Sequence, residues 1–168
     1  MIYIEELSGE ISQKEQSETG RKLLLRGLQT EYGLSEIPEI SFGEFGKPFF
    51  RSYPHIHFNI SHCNRAVACI LSQRPVGIDV ECINPFDREL AEYISSPQEL
   101  EFILNHPDPS LSFTILWTKK ESLCKLTGKG LDTRKEILEL LQHTPVTFHT
   151  VIKEAGGYVL TSCPSSAG

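Results

Sequence analysis

The 168-residue sequence lacks the features that mark several broad classes of protein. No apolar run approaches the roughly 18 residues that a membrane-spanning helix needs, so we expect no membrane association. The formal net charge is −6 and no long basic run is present, which argues against a nucleic-acid-binding protein. The first residues show no basic segment followed by an apolar core, so the sequence predicts no signal peptide.

The sequence also lacks the cysteine spacing of disulfide frameworks and zinc sites. Its five cysteines are odd in number, form no Cys-x-x-Cys pair and lie in apolar or motif stretches. These features predict reduced thiols in a cytoplasmic protein. No pair of Cys or His residues has the usual spacing of zinc ligands, so a zinc site is not expected.

What is present is the composition of an ordinary globular protein, 39% hydrophobic and 23% charged. The length favours one domain, or two small ones that share a core. The order of the predicted elements indicates two halves, each with a helix or helices followed by strands.

The first half of the chain predicts a long helix among short strands. Ser12 starts a capping box that begins the helix, and Gly33 ends it. Gly20 and Gly27 weaken the helical pattern between them. The predicted strands of this half are Met1–Leu7, Pro38–Phe45, Ile56–Ile60 and Ala66–Leu71. The last two form a hairpin whose polar tip begins Ser61-His62.

The second half predicts mostly helices, with strands at its two ends. Ser96 followed by Pro97 is a strong helix start, and Ser110 is expected to cap the next helix. The predicted elements are a strand at Val76–Glu81, helices at Pro85–Ile94, 96–105, 110–125 and Thr133–Leu141, and a terminal hairpin of Val146–Lys153 and Tyr158–Cys163.

One helix face carries a distinctive set of side chains. Trp117, Glu121 and Lys125 are each four residues apart, so they share that face, and Gly128 ends the helix. Glu121 and Lys125 fit an exposed pair that stabilises the helix by about 0.2–0.5 kcal/mol. Taken alone, the helix favours this exposed pair; the alternative is a carboxylate that binds a cation and an amine that binds phosphate.

A second set lies on the strand at Val76–Glu81. Strand periodicity puts Asp79 and Glu81 on one face, where the two carboxylates repel each other unless a cation or water lies between them. The strand therefore has either a solvated face or a cation site. Three carboxylates, from Asp79, Glu81 and Glu121, suit Mg²⁺ with a pyrophosphate substrate, and Lys47, His62 and Lys125 add cationic or donor groups.

Four motifs in this order resemble those of the 4'-phosphopantetheinyl transferases. They are Gly46-Lys47-Pro48, Phe58-Asn-Ile-Ser-His62, Gly77-Ile-Asp-Val-Glu81 and Trp117-Thr-Lys-Lys-Glu-Ser-Leu-Cys-Lys125. The central position of Gly77 resembles the single-chain, surfactin-synthetase-activator type. The resemblance implies an α+β fold of two pseudo-repeated α/β halves, which we place at residues 1–75 and 76–168. Cys63 stands where the family usually has Ser.

The resemblance also implies an activity. It is the Mg²⁺-dependent transfer of 4'-phosphopantetheine from coenzyme A to a serine of an apo acyl or peptidyl carrier protein, releasing adenosine 3',5'-bisphosphate. Such a monomeric, cytoplasmic enzyme would serve lipid or secondary-metabolite biosynthesis.

The family motifs imply a role for each matching residue. Asp79, Glu81 and Glu121 would bind Mg²⁺, and Glu121 would also help to deprotonate the serine. Lys125 would bind the pyrophosphate. The remaining expected roles are Ser61 and His62 at the 3'-phosphate, Lys47 near the adenine or its phosphate, Trp117 in helix packing, and Lys120 and Lys129 as either ligand contacts or solvated side chains.

Three other activities stay open from the residues alone. The same carboxylates fit a Mg²⁺-dependent phosphodiesterase or nucleotide hydrolase, although no second metal cluster is evident. A non-catalytic module could bind coenzyme A or a carrier protein. Cys63 next to His62 would be a nucleophile pair, but sequence neighbours rarely have the geometry that such a pair needs.

Overall fold

A computed structural model describes residues 1–9, 11–130, 133–142 and 146–165 of the chain. The described part is an α+β protein, as predicted. Its elements are β1 (Ile2–Glu6), α1 (Gln13–Tyr32), β2 (Ile40–Phe42), β3 (Pro48–Phe50), β4 (His57–His62), β5 (Ala66–Ser72), β6 (Val76–Cys82), α2 (Arg88–Ile94), α3 (Pro97–Leu104), α4 (Pro109–Thr127), α5 (Arg134–Glu139), β7 (His149–Lys153) and β8 (Tyr158–Pro164).

The two halves repeat one sheet topology. The first sheet has the order β1-β5-β4 and the second has the order β6-β8-β7. In each, the first strand of the half pairs with the last, the last pairs with the one before it, and both pairings are antiparallel. The predicted fold class of two pseudo-repeated halves is therefore confirmed. The domain boundary at residue 75 stays a prediction; it falls between β5 and β6.

Helix α1 covers one face of the first sheet and is unbroken. The predicted capping box at Ser12 forms, and Gly33 ends the helix with a φ of 69°. The two glycines within α1 allow close packing. A Cβ on Gly20 would lie 2.9 Å from Ile60, and one on Gly27 would lie 2.3 Å from Leu71. Glycine at these two positions weakens the helical pattern but allows the helix to lie close to the sheet.

The alternation of β5 explains how the two sheets pack. Val67, Cys69 and Leu71 belong to the core beneath α1. Ala66, Ala68 and Ile70 point the other way and pack against the second sheet, chiefly Val76, Ile78, Val80, Tyr158 and Leu160. Both faces of β5 are covered, which fits its apolar sequence from Ala66 to Leu71. No helix among the described residues is long and apolar enough to cross a membrane.

Helix α4 packs on the second sheet, and a glycine of β6 permits the contact. A Cβ on Gly77 would lie 1.9 Å from the carbonyl oxygen of Ser122, so no other residue fits at this point. Helix α4 begins differently from the prediction. Asp108 caps it, accepting a hydrogen bond from the Leu111 N–H, whereas Ser110 was expected in that role. Asp108 precedes a proline at the first helical position, a strong start signal.

Candidate active site

A cavity of about 520 Å³ opens beside α4. Trp117, Glu121 and Lys125 all line it, so the predicted shared face exists and points into the cavity. Trp117 forms part of the cavity wall, and its expected role in helix packing stays a prediction. Further wall residues are Phe45, Gly46, Lys47, Asn59, Gly128 and Lys129.

The turn before β3 is fixed to the end of α4 by Lys47. Its Nζ donates to the carbonyl oxygen of Leu126 at 2.6 Å, and its side-chain carbons would lie 3.1–3.8 Å from a Cβ on Gly128. Gly128 ends α4 with a φ of 72°. Burial lowers the pKa of Lys47. The predicted binding residue Lys47 therefore lies on the cavity wall, close to the helix that carries Glu121 and Lys125.

Asp79 lies at the centre of a buried polar network. Only 1% of its surface is exposed, so the alternative of a solvated strand face is wrong. Its Oδ1 accepts hydrogen bonds from Lys125 Nζ at 2.6 Å and from Ser61 Oγ at 2.9 Å. Its Oδ2 is buried and has no hydrogen-bond partner. Lys125 therefore pairs with the strand carboxylate, and an exposed Glu121–Lys125 pair is not what forms.

The other two predicted carboxylates lie close enough to sense each other and Asp79. Burial, with the charges of Asp79 and Glu121, raises the pKa of Glu81 to about 7, although Lys125 and a hydrogen bond from Trp117 lower it. Burial and the Asp79 charge likewise raise the pKa of Glu121. Burial is the largest cause of both shifts, and repulsion between neighbouring carboxylates adds to it.

The donor chemistry of these residues fits a divalent cation. No group of three or more His, Cys, Asp or Glu side chains in the described ranges is arranged to hold a metal ion as it stands. The unpaired Asp79 Oδ2 is nevertheless a buried acceptor without a donor, and burial together with the charge of Asp79 raises the pKa of Glu81 and of Glu121. Carboxylate oxygens are the ligands that Mg²⁺ prefers.

Comparison with known proteins decides the family. Residues 75–160 match the 4'-phosphopantetheinyl transferase superfamily. A 4'-phosphopantetheinyl transferase of Bacillus subtilis named ffp is 30% identical over 157 residues, covering 84% of this chain and 70% of its own length. The chain belongs to this superfamily. The predicted resemblance is confirmed.

Other relatives match a shorter part of their own length. A 4'-phosphopantetheinyl transferase of Bacillus subtilis is 40% identical over 116 residues, which is 67% of this chain and 51% of the relative. The transferase Sfp of Bacillus subtilis strain 168 is 40% identical over 90 residues, which is 52% of this chain and 40% of Sfp. The chain thus spans about half, or less, of the length of these two relatives.

The two residues of the motif at Ser61-His62 lie on opposite faces of β4. Both residues belong to the strand, whereas a polar hairpin tip was predicted. Because alternate residues point to opposite faces, Ser61 is buried beside Asp79 and His62 is exposed. His62 is not among the residues that line the cavity. The structure therefore joins Ser61 to the carboxylates but does not bring His62 to them.

Lys120 is neither a ligand contact nor a solvated lysine, so both expectations for it are wrong. Its side chain is fully buried. Its Nζ donates to the carbonyl oxygens of Ile94 at 2.8 Å and Ile137 at 2.9 Å, and to Glu99 Oε2 at 2.9 Å. Lys120 thus joins α2, α3 and α5 to α4. Lys129, by contrast, is exposed and lines the cavity.

The cysteine beside His62 is a partly buried thiol. Burial raises the pKa of Cys63 to about 12, so little reactive thiolate forms near neutral pH. This disfavours a Cys63–His62 nucleophile. All five cysteines are free thiols.

Sequence reasoning missed Asn59, which lies in the same motif. It is 6% exposed, lines the cavity and accepts a hydrogen bond from the Ile78 N–H at 3.2 Å. Ser61 Oγ accepts from the Val80 N–H two residues further along, also at 3.2 Å. Two polar side chains of β4 therefore accept hydrogen bonds from backbone N–H groups of β6. The spacing of Asn59 and Ser61, two residues apart on a strand, was the available signal.

Proposed function

We propose that this chain transfers 4'-phosphopantetheine from coenzyme A to a serine of an apo acyl or peptidyl carrier protein. The observation that carries the proposal is the partly buried Lys125–Asp79 pair beside a cavity that Lys125 and Glu121 line, in a chain of this superfamily. The printed names of the relatives support the reaction. The proposal also covers a monomeric, cytoplasmic enzyme of lipid or secondary-metabolite biosynthesis.

The metal site is part of the proposal. Asp79, Glu81 and Glu121 would hold Mg²⁺. When bound, the ion would offset negative charge on the pyrophosphate as its bond to the transferred phosphorus breaks. The unpaired Asp79 Oδ2 and the raised pKa values of Glu81 and Glu121 support this assignment.

The chain's own residues bind the substrate and take up a proton. The ammonium groups of Lys125 and Lys47, which both line the cavity, neutralise phosphate oxygens. In the reaction, the carrier serine oxygen bonds to the phosphorus that bears the pantetheine arm, and adenosine 3',5'-bisphosphate leaves. The serine proton passes to a base, and we assign that role to Glu121, a carboxylate that lines the cavity.

Two predicted binding residues keep roles at the nucleotide. Ser61 would approach the 3'-phosphate end only by giving up part of its present hydrogen bonding. His62 would contact that phosphate from the opposite face of β4, outside the cavity lining. These assignments rest on the family motif.

The test is transfer to a defined acceptor. Purified protein is incubated with Mg²⁺, coenzyme A and a panel of apo acyl and peptidyl carrier proteins, and each carrier is weighed by mass spectrometry. We expect a mass gain of one phosphopantetheine group on at least one carrier. The matched controls are a carrier with its acceptor serine changed to alanine and the Asp79→Asn enzyme. If no carrier in the panel gains mass, the transferase proposal is wrong.

A further inference from the structure

Asn59 combines burial with access to the cavity. It lies in the middle of β4, on the face that it shares with Ser61, and is 6% exposed. It is part of the cavity wall together with Lys47 and Lys125. A buried amide at this position has to place both its oxygen and its nitrogen, because unpaired polar atoms are costly inside a protein.

The orientation of the amide is fixed by the backbone of β6. The Ile78 N–H donates to Oδ1 at 3.2 Å, and only the oxygen end of an amide accepts a hydrogen bond. Nδ2 therefore points away from this contact. Within the described part of the chain Nδ2 has no hydrogen-bond partner, yet it is not among the buried unpaired atoms. The nitrogen, with its two donor hydrogens, is thus accessible from the cavity.

The neighbouring Ser61 has no such spare capacity. Its hydroxyl donates to Asp79 Oδ1 at 2.9 Å and accepts from the Val80 N–H and from Lys125 Nζ. A hydroxyl has one donor and two acceptor positions, so all three are in use. Of these two polar residues on the site face of β4, Asn59 is the one that can bind a ligand without first losing a protein contact.

The surrounding charge indicates which ligand atom the amide meets. Lys47 and Lys125 place two ammonium groups on the same wall, and cationic groups in a cleft attract phosphate. We propose that Asn59 Nδ2 donates a hydrogen bond to a phosphate oxygen of bound coenzyme A and is a binding residue. This inference rests on the proposed function for its ligand, and it assigns to Asn59 a contact separate from its bond to Ile78.

Two substitutions separate the two ends of the amide. Asn59→Asp keeps an oxygen for the Ile78 N–H and replaces the donor by a second oxygen. Asn59→Ala removes both ends without adding charge. Coenzyme A binding is measured by titration calorimetry without a carrier protein, and stability is measured by thermal unfolding. Loss of one hydrogen bond to a charged group lowers affinity by a factor of roughly 10 to 100.

We expect both variants to bind coenzyme A at least about 10-fold more weakly than the unchanged protein. Thermal unfolding checks that both variants are folded, since Asn59→Ala leaves the Ile78 N–H unpaired and Asn59→Asp adds a carboxylate at a buried position. If Asn59→Ala keeps the affinity of the unchanged protein, the donor role is wrong and Asn59 is purely structural. The same conclusion follows if Asn59→Asp keeps it.

The binding assay also separates this inference from the transferase proposal. If the unchanged protein binds coenzyme A but modifies no carrier, the transferase proposal fails while the role of Asn59 is still decided by the two variants. If the unchanged protein transfers the group but both variants bind normally, only the role of Asn59 is overturned. If the unchanged protein binds no coenzyme A, both are overturned.

Discussion

Two lysines five residues apart on α4 serve opposite sides of the same helix. Lys120 has no exposed side-chain surface and uses its ammonium group on two backbone carbonyls and Glu99. The Lys125 side chain is 28% exposed, pairs with Asp79 and lines the cavity. The first holds three neighbouring helices in place, whereas the second is available to a ligand. Lys120 thus stabilises the packing of α4, and Lys125 belongs to the candidate active site.

The difference follows from helix geometry. Five residues correspond to about 500° of rotation, so Lys120 and Lys125 project roughly 140° apart. Lys125 follows Glu121 by four residues and shares its face, while Lys120 cannot. Substitution of Lys120 should therefore change the stability of the protein. Substitution of Lys125 or Glu121 should change the rate of carrier modification.

The largest expected effect is the loss of stability in Lys120→Met. Removing one partner of a buried ion pair costs about 3–5 kcal/mol, because Glu99 and two carbonyl groups lose their donor. Denaturant unfolding measures this change, and Lys129→Met is the matched control at an exposed lysine. An equal loss of stability in the two variants would mean that the buried contacts of Lys120 contribute little.

Next in size is the loss of turnover in Glu121→Gln. The variant keeps the shape of the side chain but loses a carboxylate that we assign to Mg²⁺ and to the serine proton. We expect turnover to fall by about 10²–10³, the magnitude of losing one transition-state contact. The initial rate of carrier modification at saturating coenzyme A measures this effect. Near-normal turnover in a folded variant would remove Glu121 from the site.

A smaller effect is expected for Lys125→Ala. Loss of its charge weakens phosphate binding, so the concentration of coenzyme A needed for half-maximal rate should rise about 10-fold or more. Initial rates over a range of coenzyme A concentrations give this value, and Lys129→Ala is the control for a lysine at the rim. If Lys129→Ala raises the requirement as much as Lys125→Ala does, the pairing with Asp79 carries no special role.

The smallest effect is expected for Arg134→Ala. Arg134 donates to the carbonyl oxygens of Tyr93 and Glu92, and its guanidinium lies 5.4 Å from the centre of the Tyr93 ring. It joins α5 to α2 as Lys120 does, but its surroundings are exposed. The free energy of unfolding should fall by about 1 kcal/mol or less, with turnover unchanged. A loss equal to that of Lys120→Met would contradict the distinction between buried and exposed contacts.

Local sequence signals predicted most of the fold. The capping boxes at Ser12 and Ser96 and the αL glycines Gly33 and Gly128 act within one or two turns of helix, so the sequence alone reveals them. The alternation of residues along β6, which placed Asp79 and Glu81 on one face, is also visible in the sequence alone. Their burial was beyond prediction, because it depends on α4 packing against Gly77.

Contacts between distant segments account for what sequence reasoning missed. Lys120 meets Glu99 and the carbonyl of Ile137 only after three helices have packed together. Asn59 acquires its role through the Ile78 N–H, 19 residues along the chain. The sequence near Lys120 gives no sign of its partners, and the spacing of Asn59 and Ser61 on β4 indicates a shared face but not the partner on β6. The shared face of Trp117, Glu121 and Lys125 was predictable because helix periodicity determines it; that Lys125 pairs with Asp79 was not.

The most direct test of the proposed chemistry is the fate of coenzyme A with and without an acceptor. The protein is incubated with Mg²⁺ and coenzyme A, and adenosine 3',5'-bisphosphate is quantified in the presence and absence of an apo carrier protein. The account predicts one bisphosphate released for each carrier serine modified, and none without the carrier. Release at a similar rate without the carrier would contradict it and would identify a phosphodiesterase instead.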